Sequence, residues 1–210
     1  METTFEAAVV AAGDFPTHPV ALSILRSTPH IVACDGAVGN VPQAEAVVGD
    51  GDSVPATYRQ RLIRIDEQED NDLTKATRYC LTRSWHSIAY FGATGRREDH
   101  TLGNISLLMR YYREFGIQGT MFTDHGFFSP ARGTSTFRAF PGQQVSIFNF
   151  GCKHLASTGL KWESYAYEQW WQGTLNESLG DFFSLEGDGY YLVFQTYEKK
   201  ASPSMEGSGK

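Results

Sequence analysis

Apolar runs alternate with helical patterns along the first half of the chain, and this alternation constrains the fold more than any other feature of the sequence. The apolar runs predict strands at Phe5–Ala11, His30–Cys34, Ala46–Val48 and Ser87–Phe91. Apolar residues at helical spacing predict helices at Val20–Arg26, Asn71–Arg83 and Asp99–Phe115. Strands that alternate with helices form a mostly parallel sheet covered by helices, and such sheets bind ligands at the carboxyl ends of their strands.

The pattern changes after about Gly119, where the helical periodicity ends. Short apolar runs follow at Val145–Phe150, Ala166–Trp171 and Tyr190–Gln195, separated by Gly, Pro, Asn and Ser. Runs of this kind are typical of antiparallel β structure. We therefore predict two domains, a mostly parallel α/β domain over residues 1–130 and an antiparallel β-sandwich over residues 131–210.

The charge and composition exclude several classes of partner. The 210 residues have a formal net charge of −6, whereas a protein that binds the backbone of nucleic acid needs a basic face. No run approaches the roughly 20 apolar residues that span a bilayer, and the first residues lack the basic segment of a signal peptide. The three cysteines are far apart, as is typical of reduced, buried thiols. We expect a cytoplasmic protein that binds neither nucleic acid nor membrane.

Acidic side chains stand at the ends of the predicted strands. Asp35 follows the second strand, Asp50 and Asp52 follow the third, and an acidic run ending at Asp72 precedes a predicted helix. In an extended chain, Asp50 and Asp52 project to the same side. Crowded carboxylates repel one another unless a cation lies between them, and Mg²⁺ binds one or two carboxylates together with substrate phosphates. Alternatively, these are ordinary turn residues.

Cationic residues and glycines stand near the same strand ends. Lys75 lies near the start of a predicted helix, where free N–H groups favour phosphate, although a solvated surface lysine is the alternative. The segment Gly92–His100 follows a strand and opens a helix. Its small residues let backbone N–H groups surround phosphate oxygens, which arginine can bind at two points. Asp99 is also a candidate N-cap of this helix, as Asp70 or Asn71 is of the helix before it.

In this order and spacing, the motifs resemble those of thiamin pyrophosphokinases over nearly the full length of the chain. The family pattern is matched at Asp35–Ala37, Gly49–Ser53, Asp72–Lys75, Gly92–His100, Ser157–Trp162 and Gly173–Glu177. The chain departs from that pattern at Ala37 and Arg96, where the family has glycine, and at Leu175, where it often has serine.

The resemblance implies a homodimer that uses ATP as co-substrate and Mg²⁺ as cofactor, with thiamin bound between the subunits. Residues 1–130 would then bind ATP and contain the catalytic groups, and residues 131–210 would bind thiamin and form the dimer. The implied reaction is attack of the thiamin hydroxyl on the β-phosphorus of ATP, with AMP as the leaving group.

The resemblance also implies roles for individual residues. It places Asp50, Asp52 and Asp72 on Mg²⁺ and the phosphates, and Lys75 and Arg97 on the transferring group. The nucleotide site would also include Asp35, Gly36, Gly92, Gly95 and Asp99. The thiamin site would include Gln68, Thr158, Trp162 and Asn176. Trp162 would stack on the pyrimidine of thiamin, with an ordinary core tryptophan as the alternative. Asp52 and Asp72 are both open as the general base.

Two other functions fit part of the sequence. The run Ala46–Val54 imitates the strand and Asp-x-Asp signature of haloacid-dehalogenase-like phosphatases, in which Asp50 would accept a phosphoryl group. That function leaves the segments Asp72–Lys75 and Thr158–Trp162 without a role. The other alternative is a sensor that binds nucleotide or thiamin without turnover.

Overall fold

Strands β1 (Ala7–Val10) and β3 (Ala46–Gly49) are buried along their whole length. Their small and β-branched apolar side chains suit a parallel sheet that is covered on both faces. The computed structural model describes residues 4–199. The chain divides into two compact units between Pro130 and Ala131.

The first unit is built on parallel strands. Its elements, in chain order, are β1, α1 (Pro19–Ser27), β2 (His30–Cys34), β3, β4 (Leu62–Arg64), α2 (Asp72–Thr82), β5 (Ser87–Phe91), α3 (Glu98–Glu114) and β6 (Gln118–Phe122). The strands lie in the order β4-β3-β2-β1-β5-β6, and all five of these pairings are parallel. The chain moves outward from β1 to β4 and then returns to the other side of β1. The sheet therefore has a topological switch point between β1 and β5, where α/β sheets commonly bind ligands.

Helix α2 shows how the local sequence fixes an element beside this switch point. Asn71 is its N-cap, and its side-chain oxygen accepts a hydrogen bond from the Thr74 N–H at 3.0 Å. One face of the helix is buried and includes Leu73, Ala76 and Cys80. The first turn of α2, which contains Asp72, is therefore held near the carboxyl end of β2, where the Cys34 thiol donates to the Asp72 carbonyl.

The second unit is antiparallel. Strand β7 (Gly126–Arg138) pairs with β6 through Phe127 and Phe128 and continues into the second unit. The remaining strands are β8 (Gln143–Asn149), β9 (Leu155–Thr158), β10 (Asn176–Glu177) and β11 (Phe182–Lys199). The first half of β11 pairs with β9 and its second half with β8, both antiparallel. The buried core of this unit includes Val145, Ile147, Phe183, Leu185, Tyr191 and Val193.

The fold class, an α/β domain followed by an antiparallel β domain, is confirmed. The strands His30–Cys34 and Ser87–Phe91 have the predicted bounds. The strand predicted at Ala166–Trp171 is wrong, because the end of this segment enters a 3₁₀ turn at Trp170–Gly173. Its aromatic residues favoured a strand, but the side chains of Gln169 and Gln172 close the turn from both ends, and the two tryptophans are exposed.

Two predictions from composition can be compared with the fold. Cys34, Cys80 and Cys152 are free and buried, as predicted. Among residues 4–199, no helix has both the length and the apolar character needed to cross a bilayer.

Candidate active site

A cavity of about 400 Å³ lies in the first unit at the topological switch point. The chain leaving β1 contributes Ala11 and Gly13 to its wall, and the chain leaving β5 contributes Gly92 and Ala93. Predicted site residues that line the cavity are Asp35, Gly36, Asp72, Gly92, Gly95 and Arg97. The cavity therefore brings together groups from separate motifs of the sequence.

The turn that follows β5, Gly92–Gly95, is tightly held by its neighbours. The carbonyls of Gly92 and Thr94 accept hydrogen bonds from the N–H groups of Gly13 and Asp14, at 2.7 and 2.8 Å. Gly92 has a φ of 61°, and a Cβ at this position would meet the Ala11 carbonyl oxygen. Only glycine permits this approach, so the turn has one defined path beside the cavity.

Asp35 is the most constrained carboxylate of the site. It is buried and has a φ of 38°, in the left-handed region that few residues other than glycine, asparagine and aspartate adopt. Its Oδ2 accepts a hydrogen bond from the Ser53 N–H at 3.1 Å, whereas its buried Oδ1 has no partner. Burial raises the pKa of the Asp35 carboxyl, and the charges of Asp50 and Asp52 raise it further, against the lowering effect of the Ser53 N–H.

Asp50 and Asp52, which follow β3, do not line the cavity, and their arrangement differs from the prediction. The chain is not extended here, because Gly51 has a φ of 87° and the Asp50 Oδ1 accepts a hydrogen bond from the Asp52 N–H at 3.0 Å. The prediction that both side chains project to one side of a strand is therefore wrong. Both charges nevertheless raise the pKa of Asp35, whose Oδ2 is bonded to the N–H of Ser53, the residue after Asp52.

Asp72 and Lys75 meet on the first turn of α2. The Lys75 Nζ lies 3.6 Å from the Asp72 Oδ1, and the lysine side chain is only 4% exposed. The alternative of a solvated surface lysine is therefore wrong. Burial raises the pKa of Asp72, and although Lys75 lowers it, the charges of Asp35 and Asp50 raise it.

Arg97 and Asp99 form a two-point ion pair at the start of α3. The Arg97 Nε and Nη2 donate to the two oxygens of Asp99, at 3.1 and 2.6 Å. This contact lowers the pKa of Asp99. The N-cap of α3 is Arg97, without a side-chain capping bond, so the prediction that Asp99 caps this helix is wrong. Asp99 instead holds the guanidinium that lines the cavity.

The carboxylates can be tested as ligands of a divalent cation. Among residues 4–199, no group of three or more acidic, histidine or cysteine side chains is arranged to hold a metal. Mg²⁺, however, commonly takes only one or two carboxylates, with waters and phosphates completing its shell. The unpaired buried Oδ1 of Asp35 and the mutual repulsion of Asp35, Asp50 and Asp72 fit a cation that arrives with its substrate.

A second cavity, of about 340 Å³, lies in the second unit and has aromatic walls. Trp162, Tyr165 and Tyr167 line it, and the two tyrosine rings meet edge to face with their centroids 4.5 Å apart. Trp162 is 52% exposed, which contradicts the alternative of a core tryptophan. The Lys161 Nζ lies 4.9 Å from the centroid of its ring.

Asn176 fixes the backbone beneath this ring. Its Oδ1 accepts a hydrogen bond from the Trp162 N–H at 3.2 Å, and its Nδ2 donates to the Trp162 carbonyl at 2.8 Å. The buried amide therefore holds Trp162 at both backbone groups. Thr158 and Gln68, both exposed, lie outside the walls of the two cavities.

Sequence reasoning missed Asn104 and Asn71 as residues of the first cavity, and Tyr165 and Glu163 as residues of the second. The signal for Asn104 was its place inside a helix, where asparagine is disfavoured unless its side chain has a specific partner. The second cavity gave no such signal, because aromatic residues in a β-rich segment are ordinary.

Two family models match the chain. The model described as "Thiamin pyrophosphokinase, catalytic domain" matches residues 21–118. The model described as "Thiamin pyrophosphokinase, substrate-binding domain" matches residues 126–194. Together the two segments make up most of the chain. A comparison with curated proteins gives no match.

Several solved structures share the fold. The chain is similar to thiamine pyrophosphokinase from Bacillus subtilis, with 18% identity, a TM-score of 0.75, and coverage of 91% of this chain and 99% of that one. The Candida albicans thiamin pyrophosphokinase gives 16% identity and a TM-score of 0.75, covering 92% and 90%. The yeast enzyme gives 14% identity and a TM-score of 0.71, covering 91% and 86%.

Proposed function

Because the chain belongs to the thiamin pyrophosphokinase family, we propose that its first cavity binds ATP with Mg²⁺ and its second binds thiamin. Members of this family are ATP-dependent pyrophosphotransferases. The family matches favour neither the phosphatase nor the sensor alternative. The family's reaction can therefore be assigned to particular residues of this chain.

The buried, unpaired Oδ1 of Asp35 is the observation on which this proposal depends most. A buried polar atom without a hydrogen-bond partner lowers the stability of the fold, so its presence in a native protein needs an explanation, such as a bound ion. Asp35 and Asp72 line the same cavity, and the charges of Asp50 and Asp52 raise the pKa of Asp35. A cation bound with phosphates would offset both the missing partner and the repulsion. We assign Asp50, Asp52 and Asp72 to Mg²⁺, with Asp35 supporting them.

In the proposed reaction, the thiamin hydroxyl oxygen loses its proton to Asp52 or Asp72 and forms a bond to the β-phosphorus of ATP, and the bond from that phosphorus to the oxygen of AMP breaks. Mg²⁺, when bound, supplies positive charge that offsets the charge of the phosphates. Arg97 places further positive charge in the cavity wall, and the buried Lys75 places it beside Asp72. Such transfers depend on positioning and on stabilisation of charge more than on a covalent intermediate. The glycine turn after β5 would hold phosphate oxygens, together with Gly36.

Thiamin is assigned to the aromatic cavity of the second unit. One side of the Trp162 ring has the ammonium group of Lys161 nearby, and we propose that the pyrimidine stacks on the other. Glu163 lines the same cavity, and its carboxylate suits the positive charge of the thiazolium. We assign Asn176 to positioning Trp162, since its amide is already bonded to the backbone of that residue.

We further propose a homodimer, with thiamin bound between the subunits, in the cytoplasm. The second unit exposes several large apolar side chains: Trp162, Tyr165, Trp170, Trp171, Leu175, Leu179 and Phe182. Apolar surface of this extent favours association with another chain. The three free cysteines suit a reducing compartment. Sedimentation at micromolar concentration should give twice the mass of the chain; a fully active monomer would contradict the shared site.

The deciding experiment is incubation of the protein with thiamin, ATP and Mg²⁺, followed by detection of the nucleotide and thiamin products. We expect AMP and thiamin diphosphate in equal amounts, and no turnover when EDTA removes the cation. ADP as the product, or a trapped phospho-aspartate at Asp50, would overturn the proposed reaction. Tight binding of ATP and thiamin without turnover would support the sensor instead.

A further inference from the structure

Two asparagine side chains connect the first turn of α2 with the glycine turn after β5. Asn71, the N-cap of α2, accepts hydrogen bonds through its Oδ1 from the Thr74 N–H and hydroxyl, both at 3.0 Å. Its Nδ2 donates to the Oδ1 of Asn104 at 3.0 Å. The Nδ2 of Asn104 donates in turn to the Ala93 carbonyl at 2.7 Å.

The direction of this chain of hydrogen bonds is fixed at both ends. At one end the Ala93 carbonyl can only accept, so the amide nitrogen of Asn104 must face it. At the other end the Thr74 N–H can only donate, so the oxygen of Asn71 must face that group. The remaining nitrogen of Asn71 and oxygen of Asn104 then meet as donor and acceptor. No other pairing satisfies both ends.

The bonds join segments that are distant in the sequence. Asn71 precedes Asp72, whereas Ala93 belongs to the turn that we assign to the phosphates. Asn104 lies on α3, the helix whose N-cap is Arg97. The three hydrogen-bonded segments thus contain the carboxylate, the glycine turn and the arginine that the reaction needs.

We propose that Asn71 and Asn104 form a positioning relay that sets the distance between Asp72 and the glycine turn. Neither residue needs to contact substrate, because both amides are already engaged by each other and by the backbone. The catalytic consequence rests on the proposed function, whereas the mechanical link does not. A small misplacement of catalytic groups is enough to lower kcat by about tenfold to a hundredfold.

Asn71→Ser separates the relay from the helix cap. Serine caps helices about as well as asparagine does, but its side chain is shorter and has no counterpart of the Nδ2 atom that reaches Asn104. Asn71→Ala removes both the cap and the link and is the matched comparison. Asn104→Leu removes the link from the other side. Asn104→Asp is a smaller change that keeps the acceptor for Asn71 and loses the donor to Ala93, and it replaces Asn104→Leu if that variant does not fold.

The first measurement is hydrogen exchange of a peptide covering residues 92–97 in the ligand-free protein. We expect Asn71→Ser to speed exchange there, although residue 71 belongs to another segment. The second measurement is kcat and the KM for ATP. We expect Asn71→Ser and Asn104→Leu each to lower kcat by about tenfold or more, and the double variant to be no worse than the poorer single one.

Unchanged exchange at residues 92–97 in Asn71→Ser would overturn the relay. So would normal kcat in Asn71→Ser with a defect only in Asn104→Leu, because Asn104 would then act on the nucleotide by itself. Fully additive losses in the double variant would likewise contradict it. If the wild-type protein makes no AMP, the proposed function fails, while the exchange measurement still decides whether the link exists.

Discussion

The two cavities are built from opposite kinds of side chain. The cavity of the first unit has carboxylates with raised pKa values, one of them buried with an unpaired oxygen. The cavity of the second unit has exposed aromatic rings, and Asn176 ties down the backbone of one of them, Trp162. In the cavity proposed to bind phosphates, the ionised form of the carboxylates is thus disfavoured until a cation binds. The cavity proposed to stack thiamin needs only a fixed, accessible ring.

Both cavities have, in their walls, residues other than glycine whose backbone is in the left-handed region. Asp35 and Arg96 in the first unit have φ values of 38° and 59°, and Leu175 in the second has 64°. Each lies in the wall of its cavity. Backbone strain of this kind is retained only when the surrounding structure enforces it, and it concentrates at functional sites.

The largest expected effect comes from the charges of the first unit. Asp50→Asn should lower kcat by at least about a hundredfold, the scale seen when one preorganised electrostatic group is lost. Thiamin affinity, measured by calorimetric titration, should stay unchanged because the aromatic cavity is untouched. Asp66→Asn is the control, since Asp66 belongs to the neighbouring acidic run but is exposed and paired with Arg64. Equal losses in both variants would show that overall charge is responsible, not a cation site.

The next effect tests the aromatic cavity. Trp162→Phe should weaken thiamin binding by roughly tenfold and leave ATP affinity unchanged, because the smaller ring stacks less well. The melting temperature should hardly change, since Trp162 is half exposed. Trp85→Phe is the control for thiamin affinity, because Trp85 belongs to the first unit and lies outside both the aromatic cavity and the proposed dimer surface. Normal thiamin affinity in Trp162→Phe would remove the stacking role and leave the reaction class intact.

Much of the first unit could be predicted from the sequence, because the spacing of apolar residues and local signals such as helix caps determine its strands and helices. The strands at His30–Cys34 and Ser87–Phe91 have their predicted bounds, and Asn71 caps α2 as one of two named candidates. The relation between side chains was harder to predict. The turn at Gly51 depends on the hydrogen bond from the Asp52 N–H to the Asp50 side chain. Asp99 does not cap α3 because its carboxylate pairs with Arg97 instead.

The second unit was less predictable because its pairings are not local. Strand β11 runs over Phe182–Lys199, yet only Tyr190–Gln195 had a clear apolar signal. The rest is set by pairing with β9 and β8, which lie earlier in the chain. The exposed tryptophans were predicted to lie in a strand, because a sequence does not show whether an aromatic ring will be buried or exposed.

A pH experiment compares the two units, because the stability linked to a carboxylate should depend on pH in opposite directions in the first and the second unit. Because burial raises the pKa of Asp35, the stability linked to that group is present at low pH and is lost as pH rises through the raised value. Asp35→Asn avoids this loss. Without Mg²⁺ it should melt a few degrees above wild type at pH 7 and at the same temperature near pH 3.

Asp188 in the second unit is the counterpart. Backbone hydrogen bonds from His154 and Lys153 lower its pKa, so its contribution is present above the ordinary carboxyl range and is lost as pH falls. Asp188→Asn should therefore melt below wild type at pH 7. A destabilised Asp35→Asn protein at pH 7 would show that its carboxylate supports the fold, and the cation-site argument would lose its main observation.

The smallest expected effect concerns Arg96, where strain and charge can be separated. The residue lies in the left-handed region, which costs about 1 kcal/mol for residues with a Cβ, and it lines the cavity. Its ion pair with Asp14, at 3.7 Å, joins two largely exposed groups and contributes little. Arg96→Gly should raise the free energy of unfolding by up to about 1 kcal/mol, less the added flexibility of glycine in the unfolded chain. It should also raise the KM for ATP a few-fold.

Arg96→Ala keeps the strain but loses the charge, so it should share the change in KM without the gain in stability. If the two variants melt at the same temperature, the left-handed conformation is not the source of strain; if both keep the wild-type KM, Arg96 does not contact the phosphates.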